Sequence, residues 1–284
     1  MDQPLIPALK PPRWQRWLSF LIKIFKAIDR DHLPIASGGV AFFMMLGIFP
    51  GLAALFSIYG WLSDPSDIEH QLQAESGILP SEVHQILLNQ VKNIAGDGNA
   101  ASWGTILSLL IALWAGSRAM KGLIQGLNIV YSQSEKRGVI SLQIASLVLT
   151  LSLIVVISSA LFLIAIIPVF IAMLPGDKYT LGIFALLRWP FLLAIIICLL
   201  ALVYRYGPSR HKPTWKWISP GAITVTLMWL AASAIFSYYV GNYSLYINTY
   251  SSLGAIAILM LWLYITAFLI LLGAEIDEAL RKEE

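Results

Sequence analysis

Apolar residues fall in six runs, near positions 35–61, 103–130, 140–173, 182–204, 218–240 and 253–275, separated by polar or proline-containing segments of which 63–102 is the longest. A helix needs about twenty such residues to cross a hydrocarbon core about 30 Å thick, so each run predicts a transmembrane helix. The third run exceeds one crossing and is bounded by Pro168 and Pro175, which predicts a helix that is tilted, kinked or continued beyond the membrane. The segment before the first run has a different rhythm. Trp14, Trp17, Leu18, Leu21, Phe25 and Ile28 fall on one helical face, with Arg16, Lys23, Lys26 and Arg30 opposite. That pattern predicts a helix lying in the interface against the anionic headgroups of membrane lipids, as a topological anchor or as a docking site for a partner. Pro4, Pro7, Pro11 and Pro12 read as an extended tail ahead of it. The resulting expectation is an all-α, polytopic membrane bundle of six transmembrane helices with an amphipathic N-terminal interfacial helix. Residues 1–32 form the tail and interfacial helix, 33–280 the transmembrane domain with an acidic outer loop at 63–102, and 281–284 a short tail.

Composition agrees with the pattern. A mean hydropathy of +0.74, with 58% hydrophobic and 12% charged residues, excludes a soluble domain of 284 residues, in which about a quarter of positions are charged. No compact apolar core with a cleavage site opens the chain, so no removable signal peptide is expected. With six spans and both termini inside, sixteen of the nineteen Lys and Arg residues fall on the cytoplasmic side, and only Lys92, Lys178 and Arg188 fall outside. That asymmetry predicts a multi-pass protein with cytoplasmic N- and C-termini. The single cysteine, Cys198, lies in an apolar run and reads as a packing residue.

Polar positions inside the spans are the candidate chemistry. Arg118, Lys121, Gln125 and Asn128 fall within an arc of about 80° on the second span, at the end that reads as inner. Charge at such depth costs several kcal/mol unless paired, snorkelled or wet. Two readings follow: the bases snorkel to headgroups and fix topology, or the four residues form an anion site in which Arg118 makes two-point contact with phosphate or carboxylate. Glu275 on the sixth span is the expected counter-charge for Arg118 or Lys121, either as a static staple or as a latch. Asp277 and Glu278 read as solvated, with Glu278 and Lys282 spaced for an i,i+4 pair.

Gly122 and Gly126, and Gly47 and Gly51, are spaced for close helix approach. Pro50 either packs within the first span or breaks it near a cavity, which would make Pro50, Gly122 and Gly126 candidates for helix break or gating. Arg188 reads as an interfacial anchor. Tyr238, Tyr239, Tyr243, Tyr246 and Tyr250 read as an aromatic belt or a lid. In the acidic loop, Pro80 and Ser81 open a short predicted helix, and His70 and His84 read as solvated rather than as metal ligands.

No phosphate loop, H-E-x-x-H or G-x-S-x-G occurs, and no paired carboxylates lie within the spans. All four histidines, His32, His70, His84 and His211, fall in predicted loops or at membrane edges. No catalytic residue, metal site or cofactor is therefore expected, nor a nucleic-acid partner.

Several motifs occur together: Phe49-Pro50-Gly51; the run Leu113-Trp114-Ala115-Gly116-Ser117-Arg118 through Asn128, followed by Tyr131 and Glu135; Pro220-Gly221-Ala222; Tyr250-Ser251-Ser252-Leu253-Gly254-Ala255; Leu261-Trp262-Leu263-Tyr264; and Gly273-Ala274-Glu275-Ile276. Together they resemble the YihY/BrkB family of bacterial inner-membrane proteins, formerly described as ribonuclease BN, from about residue 25 to 280. The chain departs from the family pattern at Ser251, where glycine is usual, and at Asp277, where asparagine is usual. The resemblance implies a six-helix inner-membrane protein described as a transporter of undefined substrate; nuclease chemistry has no visible apparatus here. The expected function is movement of an anionic or amphipathic solute, such as a lipid, without an ATPase of its own. The alternative is a non-transporting scaffold for envelope-assembly proteins. The glycine motifs permit a homo-oligomer.

Overall fold

The computed structural model describes residues 12–62, 98–173, 178–209, 219–242 and 245–282. Expectations for Pro4, Pro7, Pro11, the acidic loop with Pro80, Ser81, His70 and His84, Pro175, His211 and Tyr243 lie outside the described residues. So do those for the side chains of Trp17, Arg188, Tyr246 and Tyr250. Among the described residues the protein is all-helical, with α1 (Arg13–Arg30), α2 (Leu33–Leu62), α3 (Gly98–Val130), α4 (Val139–Met173), α5 (Lys178–Tyr206), α6 (Pro220–Asn242) and α7 (Leu245–Arg281).

Five of these contain stretches long and apolar enough to cross a membrane: Leu33–Gly51, Ile106–Val130, Val139–Ser159, Pro220–Val240 and Ile256–Arg281. The fourth predicted span is present as α5, whose described apolar stretch, Pro190–Tyr206, is shorter. The third runs as one 35-residue helix to Met173. Pro50 does not end the first span: α2 continues through it to Leu62. Proline lacks the N–H that the Leu46 carbonyl would accept, yet the helix continues beyond it.

Two turns depend on non-glycine residues in the left-handed region. Ser132 (φ 50°) follows α3, and the bonds Gln133 N–H to Asn128 O (2.8 Å) and Ser132 N–H to Ile129 O (2.9 Å) make a Schellman cap. His32 (φ 51°) separates α1 from α2; its N–H bonds the Asp29 carbonyl, while its own carbonyl accepts from Ile35 and Ala36 at the start of α2. A single residue thus converts one helix direction into the next. At α6, Ser219 caps the helix, its Oγ accepting from Ala222 N–H at 3.1 Å, and Pro220 occupies the first helical position.

Helices associate where side chains are small, since lipid offers no hydrophobic gain for bringing apolar surfaces together. A Cβ on Gly47 would lie 3.2 Å from the Ala115 Cβ, and one on Gly122 would lie 3.2 Å from Val40, which sets α2 against α3. Both expected glycine pairs therefore serve packing, but against different partners, because Gly126 receives Leu271 of α7. The tightest approach joins α6 to α7, where a Cβ on Gly221 would run into the Gly273 carbonyl and one on Gly273 into Val225.

Polar groups add a second bond between α3 and α4. Gln143 Nε2 donates to Ser117 Oγ (2.9 Å), Ser117 Oγ pairs with Ser146 Oγ (2.8 Å), and Ser146 Oγ donates to the Gln143 carbonyl (2.8 Å). The ring closes when Ser117 is the donor to Ser146, so both buried hydroxyls are satisfied. The outward surface is apolar: Leu107, Leu110, Ile144, Val148, Val155, Leu227 and Ile235 are exposed, as lipid-facing positions must be. Cys198 is also exposed, so it is not the packing residue expected from its apolar neighbours.

Gly221→Ala is expected to cost about 1–3 kcal/mol, since the added methyl meets backbone rather than a flexible side chain. Gly38→Ala, with open space around it, should gain about 0.5–1 kcal/mol from helix propensity. Thermal unfolding in detergent checks both. Ser132→Gly should raise the melting temperature by relieving about 1 kcal/mol of left-handed strain.

Candidate functional site

The stripe on α3 is present but does not face inward. Arg118 and Gln125 are exposed, Lys121 is half-buried, and only Asn128 is buried. The reason is that α3 is enclosed on its other sides, by α2 at Ala115 and Gly122, by α4 at Ser117, and by α7 at Gly126. The stripe is the face left over. The Arg118 guanidinium lies 5.4 Å from the centre of the Trp114 ring, and Trp114 itself stands edge-on to Phe43 of α2. Arg118 sits midway along the Ile106–Val130 stretch, and the stripe descends from there over ten residues, about 15 Å of helix.

Glu275 is not the partner of Arg118 or Lys121. It is buried (3% exposed), and its Oε1 lies 3.7 Å from Arg30 Nη2 at the end of α1. Its Oε2 is buried with no hydrogen-bond partner. Arg30 is also held by Asp31 in a two-point contact, Nε to Oδ1 at 2.8 Å and Nη2 to Oδ2 at 2.7 Å. Donating these hydrogen bonds to the Asp31 carboxylate raises the Arg30 pKa above its ordinary value. The interhelical staple thus exists, but it joins α1 to α7. Sequence spacing could not reveal it, because Arg30 and Glu275 are far apart in the chain and Arg30 reads as one more base on an interfacial face.

Asp277 and Glu278 are not the solvated pair expected. Asp277 Oδ1 accepts the Gly221 N–H at 2.6 Å, at the open amino end of α6. Glu278 is buried and held by Arg281 (2.7 Å) and by Lys282 (3.4 Å), the expected i,i+4 contact. Tyr204 of α5 reaches the same region, its hydroxyl donating to the Ile270 carbonyl at 2.6 Å.

Asn128, the last stripe residue, belongs to a clamp of its own. Its Nδ2 donates to Glu135 Oε2 (2.9 Å) and its Oδ1 accepts the Ser209 N–H (2.7 Å). Arg137 grips Glu135 through Nε (2.8 Å) and Nη2 (2.7 Å), and the same Nη2 donates to the Gly207 carbonyl (2.7 Å) beyond α5. The end of α3, the α3–α4 turn and the end of α5 are tied by one carboxylate. Glu135 entered the sequence reading only as a motif residue, and Arg137 and Ser209 were not singled out; the only hint was the short spacing from Asn128 to an acid followed by bases. No group of three His, Cys, Asp or Glu residues that could hold a metal occurs among the described residues.

This helical architecture, with its glycine contacts and acidic α7 end, can be set against known proteins. Residues 24–284 match the family described as Virulence factor BrkB. The chain belongs to the BrkB family. A ribonuclease-like protein of Bacillus subtilis, YfkH, is 30% identical over 281 residues, covering 94% of this chain and 97% of the relative. UPF0761 membrane proteins of Tolumonas auensis and Vibrio vulnificus are 25% and 26% identical, covering 96% of this chain and 91% and 86% of theirs. No solved structure matches. As a BrkB family member the chain is a multi-pass membrane protein, and the Arg30–Glu275 staple and the Asn128–Glu135–Arg137 clamp both lie within the matched region.

The Arg137 contacts hold the Glu135 carboxyl down at about 2, against an ordinary 4.5. A depressed carboxyl contributes stability that is complete above 4.5 and is lost as pH falls through about 2. Glu135→Gln should therefore be less stable at neutral pH and show a flatter acid limb between about 4.5 and 2 than the parent. Unfolding midpoints measured across that window check this.

Proposed function

We propose that this protein moves an amphipathic, anionic-headgroup solute, a membrane lipid being the best fit, along the outside of α3 in the bacterial inner membrane, with both termini cytoplasmic. One observation carries the reading. Arg118, Lys121 and Gln125 form a polar line from the middle of an apolar span toward its end, open on the side of the bundle rather than enclosed. A polar line open to lipid suits a molecule whose headgroup needs a wet, basic track while its tails stay in hydrocarbon. A small soluble anion would require an enclosed path instead.

The energetics favour such a role. An arginine at mid-span costs about 2.5–3.5 kcal/mol or more unless something polar meets it, and the Trp114 ring offsets only part of that. A phosphate headgroup in two-point contact would offset the rest. Glu275 lies against Arg30 rather than Arg118, so it joins α1 to α7 and does not latch the stripe. No step here needs nucleotide hydrolysis, a cofactor or a nucleic acid. The ribonuclease-like name of the Bacillus relative brings no residue to this chain that would cleave a phosphodiester.

In vesicles containing a fluorescent anionic phospholipid, the reconstituted protein should speed exchange between leaflets, read by dithionite bleaching. Arg118→Leu with Lys121→Leu should slow it by about tenfold or more, the loss of charge-assisted contacts. Arg118 is exposed and Lys121 half-buried, and neither carries a helix contact through glycine or serine, so folded yield should stay close to that of the parent. Exchange no faster than in empty vesicles, for anionic and zwitterionic lipids alike, would reject transport. The scaffold reading would then be preferred, and removal of residues 1–30 should weaken it most.

A further inference from the structure

The sequence pattern gives α1 two faces, whereas the structure gives it three. Phe20, Ile24 and Ala27 turn toward the bundle, where Ile24 and Ala27 are buried beside the end of α7. Trp14, Leu18, Leu21 and Phe25 fall within an arc of about 60° on another side and are exposed, Trp14 by 64% and Phe25 by 71%. Lys23, Lys26 and Arg30 occupy the third side and are exposed as well. The apolar ridge is therefore not the surface that docks α1 onto the protein. It is left for something else.

We propose that this something is an anionic lipid leaflet: α1 lies along the membrane surface with Trp14, Leu18, Leu21 and Phe25 immersed and its bases among the headgroups. Three observations select a bilayer over a protein partner. The helix carries five bases and one acid, Asp29, a charge balance complementary to anionic headgroups. The first span starts at Leu33, three residues after Arg30, so the end of α1 stays within about 11 Å of the membrane-spanning helix even if the link were fully extended. The link is in fact a tight turn at His32. Finally, the lipid-facing surface begins immediately beyond it, with Ile35 exposed by 75% and Phe42 by 52%. The ridge of α1 is thus followed along the chain by exposed apolar residues of the first span.

The end of α1 is also fixed. Arg30 bonds Asp31 in a two-point contact and lies 3.7 Å from Glu275, so the helix pivots at one end and seats at the other. The seat depends on lipid charge, because lysines near an anionic surface each add a factor of about five in partitioning.

The test uses the full chain with Cys198→Ser, a fluorophore on Leu18→Cys or Ser19→Cys, and vesicles of phosphatidylcholine with or without phosphatidylglycerol. The label at 18 should be quenched by lipid-borne nitroxide and spared by iodide, and the label at 19 should show the reverse. Lys23→Gln with Lys26→Gln should lower the seated-to-lifted ratio about thirtyfold in anionic vesicles and leave it unchanged in zwitterionic ones. Iodide quenching at 18 equal to that at 19 would overturn the proposal. So would shielding that rises with protein-to-lipid ratio, which would assign the ridge to a second copy, and so would indifference to lipid charge. None of these readouts depends on lipid exchange, so the seat and the transport reading stand or fall separately.

Discussion

The last third of α7 is the constraint on which the rest depends. It is approached by backbone and side chains from four elements within about two turns: Leu271 fills the space over Gly126 of α3, Tyr204 of α5 bonds the Ile270 carbonyl, Gly221 of α6 meets Gly273 and Asp277, and Arg30 reaches Glu275. In lipid such convergence has to be made from close contact and satisfied polar groups, since apolar burial alone gives helices no reason to prefer one another over lipid tails. Glycine at 126, 221 and 273 removes the side chains that would hold the axes apart. At α5 and α6 the approach also brings a polar group within bonding distance.

That arrangement explains why acidic residues survive at the end of a span. Asp277 accepts the Gly221 N–H at the start of α6, Glu278 is held by Arg281 and Lys282, and Glu275 faces Arg30. Asp277 and Glu278 replace lost hydration with specific partners, the condition under which buried charge is tolerated, whereas Glu275 keeps one oxygen without a hydrogen bond. A parallel knot, Asn128–Glu135–Arg137, fixes the α3–α4 turn to the end of α5. With one end of the bundle so fully tied, the polar face of α3 is left open at its side, and this asymmetry is what the lipid-track reading draws on.

Much of the fold was legible because hydrophobic run length is a one-dimensional signal. The helices at 33–62, 98–130, 178–206 and 220–242 lie within a few residues of the expected spans; α7 is longer, running from Leu245 to Arg281. The site was legible only in part. Arg118, Lys121, Gln125 and Asn128 do share a face, as periodicity requires, yet Asn128 is buried and Arg118 is not. Periodicity fixes which residues point the same way along a helix; it is silent about what stands opposite. Glu275 was correctly singled out as a charge needing a partner, and the partner was misassigned for the same reason.

The chain by itself determined that this is a helical membrane protein, where its spans run, and that one helix face carries bases in an apolar setting, since these follow from solvation cost and helical pitch. Only the tertiary structure decided that α1 has a third, docked face, that Glu275 answers to Arg30, and that the α3 stripe opens outward. Those outcomes are set by which helices approach one another closely. That is a matter of steric fit between glycines and side chains on elements far apart in sequence, and no local pattern encodes it.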